Sequence, residues 1–146
     1  MVRRLPLPAP MIASIQVSTE WGAPQILIVD AEEQILLAMQ DYFTAIGCQV
    51  TGAREVEEAE ALLATTAFDV VLADVRLGGV HGNEGLRLLS FVRERGLGTR
   101  VVLMTAYGAA DVDVEARRRG ADLFLHKPIP LSELARRALR LVGVRT

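Results

Sequence analysis

Four apolar runs in this sequence end beside residues that can do polar chemistry. Ile26-Leu27-Ile28-Val29 is followed by Asp30, Ala31, Glu32 and Glu33, and Val70-Val71-Leu72-Ala73 by Asp74. The run from Arg100 to Met104 is followed by Thr105 and Ala106, and the one from Asp122 to His126 by Lys127 and Pro128. Carboxylates, a hydroxyl and a primary ammonium together suit a hard cation and a phosphoryl group. They suit hydride or acyl transfer poorly, and neither a glycine-rich dinucleotide loop after the first run nor a Walker A sequence is present. In phosphoryl transfer the moving group carries spread negative charge, so catalysis is mainly positioning and charge neutralisation. Asp74 among other carboxylates needs a cation beside it, and Mg²⁺ and Lys127 are the expected sources.

These residues act together only if the apolar runs are adjacent strands. The spacing predicts this. Ile26–Val29 is short, branched and apolar throughout, as in a strand buried on both faces. A helix follows with Ile35, Met39, Tyr42, Phe43 and Ile46 on one face, closed by Gly47. Strands are expected at Cys48–Thr51, Asp69–Ala73, Arg100–Met104 and Asp122–His126. Helices are expected at Glu55–Ala64, Glu84–Arg95, Asp111–Arg119 and Leu131–Val142. Strict alternation of apolar strands with helices indicates an α/β, doubly wound, five-stranded parallel sheet. The flavodoxin-like strand order 2-1-3-4-5 would put the ligand crevice between the carboxyl ends of the first and third strands. That is where Asp30 and Asp74 fall.

Bulk properties bound the function. The 146 residues are 51% apolar and 23% charged, with mean hydropathy +0.29, which suits one globular domain with a real core. A net charge of −2 argues against a general nucleic-acid-binding surface. The single cysteine, Cys48, excludes an internal disulfide and fits a reducing, cytoplasmic compartment. Residues 1–24 read as a tail or linker before a domain at 25–146. Pro6, Pro8 and Pro10 break the apolar stretch after Arg3-Arg4 and argue against a signal core, and no run is long enough for a membrane span. His81 and His126 lack metal-ligand spacing with Cys48, so a zinc site is not expected.

The segments Ile26–Asp30, Val70–Leu77, Leu103–Gly108 and Phe124–Pro128 resemble, in order and interval, the four signature blocks of response-regulator receiver domains in two-component signalling. The resemblance spans about residues 25–143. It implies that Asp74 is the phosphoacceptor, taking a phosphoryl group from a partner histidine kinase or phosphotransfer protein in a Mg²⁺-dependent reaction. It further implies that Asp30, Asp74 and the Arg76 backbone carbonyl hold the metal. Thr105 and Lys127 would bond phosphoryl oxygens, and Phe124 would be the aromatic switch beside Thr105. Such a domain is a signalling module rather than an enzyme acting on a separate substrate. It acts on a downstream protein, or on a second copy of itself, through the surface of helix four, strand five and helix five. No direct contact with nucleic acid or membrane is expected. The chain reads either as a stand-alone receiver or as a piece of a larger regulator.

Two departures bear on this reading. Ala31 stands where the resemblance calls for a second acidic residue, and a methyl group cannot ligate Mg²⁺; Glu32, one residue on, is a further candidate ligand. The third helix also starts about three residues late, after Gly78-Gly79-Val80-His81-Gly82-Asn83. The alternative to a phosphorylated receiver is therefore a pseudo-receiver, a docking or dimerisation module that has lost its metal-dependent chemistry. A flavodoxin-like cofactor protein fits worse, because acidic strand ends repel a flavin phosphate. Plainer roles stand beside these. Asp30 and Glu33 match a capping box, Thr105 is an ordinary strand former, Lys127-Pro128 marks a turn whose bond can be cis, as the resemblance implies, and Phe124 suits the core. Arg117-Arg118-Arg119 and Arg136, Arg137 and Arg140 read as solvated helix faces, with a partner surface as the sharper alternative.

Overall fold

The computed structural model describes residues 22–77, 82–106 and 110–143. Ten elements alternate along the chain: β1 (Gln25–Val29), α1 (Glu33–Ala45), β2 (Gln49–Ala53), α2 (Val56–Thr65), β3 (Val70–Asp74), α3 (Glu84–Glu94), β4 (Arg100–Thr105), α4 (Ala110–Arg118), β5 (Leu123–His126) and α5 (Leu131–Arg140). The five strands are parallel, in the order β2-β1-β3-β4-β5. The expected architecture and strand order are both present.

The sheet is buried on both sides, and the strand residues divide by parity. Ile26, Ile28, Val70, Leu72, Val102, Met104 and Leu125 pack under α1 and α5 against Met39, Phe43, Leu134 and Leu139. Leu27, Val29, Val71, Ala73, Val101 and Leu103 face α2, α3 and α4, meeting Ala59, Leu63, Leu88, Leu89 and Ala116. Period-two alternation sends neighbours to opposite faces, and with helices on both faces neither set can be polar. Each Val, Leu, Ile, Met or Phe among these that leaves water contributes about 1.5–3 kcal/mol, and each Ala less. Within the described residues, no helix is long and apolar enough to cross a membrane.

Helix ends follow local chemistry. Gly47 at φ 106° closes α1 by donating to the Thr44 carbonyl, while Cys48 reaches back to that of Phe43. The strand expected at Cys48–Thr51 lies instead at Gln49–Ala53. Gly52 weakens the strand signal, but pairing with β1 carries β2 through it to Ala53, opposite Val29. The Gln40 side chain fills the space that a Cβ at Gly52 would need.

Gly85 sets the approach of α3 to the sheet. A Cβ there would lie 2.6 Å from the Asp74 carbonyl oxygen and 2.7 Å from the Val75 Cα, both backbone atoms that cannot rotate away. The Gly85 amide donates to the Val75 carbonyl at 2.9 Å. Gly85→Ala should therefore lower stability by about 1–3 kcal/mol in urea denaturation, although alanine is the better helix former. An unchanged midpoint would contradict this close approach.

Candidate functional site

Strand order reverses at β1 and β3, leaving a crevice beyond their carboxyl ends. Asp30 follows β1, with its backbone amide held by the Ala53 carbonyl, and is only 2% exposed. Asp74 ends β3 and is half-buried. Lys127 follows β5, and its amide donates to the Thr105 carbonyl at 2.8 Å, so pairing of β5 with β4 sets where its side chain begins. The Lys127–Pro128 peptide is cis, as the sequence suggested.

One ammonium joins the two acids. Lys127 Nζ donates to Asp74 Oδ2 at 2.7 Å and to Asp30 Oδ2 at 3.2 Å. The remaining carboxylate oxygens each accept a backbone amide two residues on: Asp30 Oδ1 from Glu32 and Asp74 Oδ1 from Arg76, both at 2.9 Å. Each carboxylate is thus oriented from one side by its own loop and from the other by the shared lysine. Burial alone would push the Lys127 pKa down. The hydrogen bond and charge of Asp74, together with those of Asp30, outweigh that and leave it raised, so the group is an ammonium at neutral pH.

The expected site residues divide into those that converge and those that do not. Asp30, Asp74 and Lys127 are in contact. Thr105 is buried at the end of β4 next to Ala106, one strand from Asp74. The exposed Arg76 contributes its amide to Asp74, and its side chain runs beside Gly82. Glu32 is exposed, and among the described residues no three His, Cys, Asp or Glu side chains gather as a metal site. A two-carboxylate donor set still fits Mg²⁺, which commonly takes one or two carboxylates and completes its shell with water and phosphate oxygens. Phe124 is half-buried, and its ring meets that of His126 edge-on, with centroids 5.5 Å apart. Gly78, Gly79, Val80, His81, Tyr107 and Gly108 lie outside the described residues.

The capping box is not formed. Helix α1 begins at Glu33 with Glu32 as its N-cap and no side-chain cap bond, because Asp30 turns its free oxygen to the nearer Glu32 amide. The arginines at the end of α4 pair back along the helix, Arg117 with Asp113 and Arg118 and, one residue past the helix, Arg119 with Glu115, each at 2.7 Å. Hydrogen bonds from Arg118 and then Arg119 hold the Glu115 carboxyl at about 2. This is how a solvated helix face behaves.

Sequence reasoning missed two positions. Glu84 braces the loop after Asp74 by accepting the Leu77 amide at 3.2 Å. Arg54, just past β2, caps the Ala31 carbonyl from Nη2 at 3.0 Å and Nε at 3.3 Å. An in-helix glycine next to Glu84 was a readable sign of close approach; nothing local in the sequence connects Arg54 with Ala31.

Comparison with known proteins agrees with this geometry. The family model for the response regulator receiver domain matches residues 26–139. The response regulator protein PilR of Pseudomonas aeruginosa is 38% identical over 118 residues, covering 79% of this chain and 26% of PilR. FleR of the same organism is 36% identical over 121 residues, covering 80% of this chain and 25% of FleR. The chain therefore spans about a quarter of the length of these relatives. The receiver domain of the Francisella response regulator 1452 superposes with a TM-score of 0.74 at 27% identity, covering 82% of this chain and 97% of that one. The beryllofluoride-activated receiver domain dimer of NtrC4 superposes with a TM-score of 0.72 at 26% identity, covering 82% and 96%. With the strand order, the paired aspartates and the bridging lysine in place, this chain belongs to the response-regulator receiver domain family.

Proposed function

We propose that this receiver accepts a phosphoryl group on Asp74 from a phosphohistidine-bearing partner. The observation that carries the reading is Lys127 bonding Asp74 and Asp30 together, from positions 53 and 97 residues away in sequence. An Asp74 carboxylate oxygen attacks phosphorus, the new P–O bond forms as the P–N bond breaks, and the departing imidazole keeps the electron pair. Asp30, Asp74 and the Arg76 carbonyl are the groups that would hold Mg²⁺, which when bound neutralises charge on the transferring oxygens. Lys127 is already placed beside the acceptor oxygen and needs little movement to follow the phosphoryl group. Thr105 would offer its hydroxyl to another phosphoryl oxygen, and its movement would free space for Phe124. The changed surface of α4, β5 and α5 would then meet a downstream protein or a second copy. An apolar cavity of about 580 Å³, lined by Ile35, Met39, Pro128, Ile129 and Leu131, adjoins Lys127 and suits a phosphodonor helix. A reducing cytoplasmic setting fits the lone Cys48.

Ala31 favours a second reading, the phosphorylation-independent docking module, because one expected metal-ligating carboxylate is missing. Labelling with acetyl phosphate, with and without millimolar Mg²⁺, separates the two. Wild-type protein should take up phosphate, Asp74→Asn should fall to background, and Lys127→Met should lose at least tenfold in rate. Absence of Asp74-dependent label at every Mg²⁺ concentration would leave the docking module as the better account.

The lysine also makes a prediction for stability. Lys127→Met strands the buried Asp30 and should cost about 1–3 kcal/mol at pH 7. Pairing raises the lysine's pKa in the folded chain, so its contribution is complete below the unfolded value of about 10.4 and is lost as pH rises through the folded value. The difference between wild type and variant in urea denaturation should be level from pH 7 to about 9.5 and narrow above that.

A further inference from the structure

The corner of the site where the second acid is missing holds a cation instead. Ala31 follows Asp30 directly, and its carbonyl accepts two hydrogen bonds from the Arg54 guanidinium, Nη2 at 3.0 Å and Nε at 3.3 Å. Arg54 comes from the β2–α2 junction, where Ala53 pairs with Val29 and holds the Asp30 amide, so the guanidinium is anchored to the strand beside the site. With Ala31 and Leu77 it lines a cavity of about 440 Å³ on the α2 side of the crevice. An aspartate at position 31 would add negative charge at this corner. The chain as it stands has removed that charge and fixed a positive one on the neighbouring carbonyl. Glu55 and Glu58 line the same cavity and, like Arg54, are exposed, so solvent screens all three charges; Arg54 alone of the three is hydrogen-bonded to the loop that carries Asp30.

We propose that Arg54 is a built-in partial substitute for the divalent cation, offsetting part of the Asp30–Asp74 charge and weakening Mg²⁺ binding at this site. This rests on the reading of Asp30 and Asp74 as the metal-binding pair. Arg54 is a positioning and charge-compensating residue rather than a catalytic one, since its observed bonds go to Ala31 and not to the acceptor. A fixed charge one residue along from a metal-ligating carboxylate, at the intermediate effective dielectric of a protein surface, should change divalent-cation affinity by about threefold to tenfold.

The test is Mg²⁺ titration followed by amide NMR shifts in six proteins: wild type, Arg54→Gln and Arg54→Lys, and each of these three with Ala31→Asp. The aspartate background secures measurable binding whatever the wild-type affinity. Arg54→Gln should tighten Mg²⁺ by at least threefold in that background, and Arg54→Lys, which retains the charge, should remain within twofold of its parent. Acetyl phosphate labelling with Mg²⁺ removed by a chelator, where Arg54 is the compensating charge on test, should fall at least threefold in Arg54→Gln and be spared in Arg54→Lys. Unchanged Mg²⁺ affinity on removing Arg54, or a lysine variant that behaves like glutamine, would overturn the proposal. Failure of all proteins to take label, with the Arg54 effect on Mg²⁺ intact, would instead count against Asp74 as phosphoacceptor and leave the role of Arg54 standing.

Discussion

Two carboxylates at the ends of adjacent strands repel, and water cannot fully shield a group as enclosed as Asp30. The fold therefore depends at this point on Lys127. It lies two strands away from β3 in the sheet, and its ammonium closes the gap between the acids. The β4–β5 pairing that seemed merely architectural is what delivers the ammonium, through the bond from the Lys127 amide to the Thr105 carbonyl. The two Asx-type turns, from Glu32 to Asp30 and from Arg76 to Asp74, leave each carboxylate with one oxygen turned to the lysine. A buried ion pair of this kind adds little net stability against an apolar replacement. Its presence in an otherwise apolar sheet is better understood as a cost accepted for chemistry.

Much of this was readable from residue types. Strands such as Ile26–Val29 and Val70–Ala73 have no polar residue on either face, which leaves only a sheet covered on both sides. Once the alternation with helices is recognised, Asp30, Asp74, Thr105 and Lys127 fall at strand ends without further assumption. Contacts set by three-dimensional approach were less legible. Asp30 and Glu33 have the spacing of a capping box, yet the Asp30 carboxylate serves Glu32 and Lys127, because the lysine comes from a distant part of the chain. The strand expected to stop at Thr51 runs on through Gly52, which makes room for the Gln40 side chain. Arg54 carries no local motif at all, and its role at Ala31 emerges only when β2 is laid beside β1.

The helices differ in how firmly they hold the sheet. Helices α1, α3 and α5 bury several large side chains each, whereas α4 buries only Ala116 among its described residues. Its other contacts are the partly buried Val112, on the same core, and Arg119 just past its end, which bonds Glu115 and reaches Ser90 of α3 at 3.2 Å. Few buried apolar contacts and exposed ion pairs mark an element of low local stability. Such an element suits a surface that must answer to a charge added at the strand ends.

The loop before α3 is closed at its base. Glu84 holds the Leu77 amide, and Gly85 holds the Val75 carbonyl while pressing its bare Cα against the Asp74 peptide. The chain thus leaves the sheet and returns to it at almost the same place, with Asp74 on the near side of the clasp. The entropic cost of closing such a loop rises only slowly with its length. Residues can therefore be added or lost between the two ends with little change at Asp74. The clasp thus makes the stretch between Leu77 and Glu84 a place where a receiver can change its length and side chains while the position of Asp74 holds.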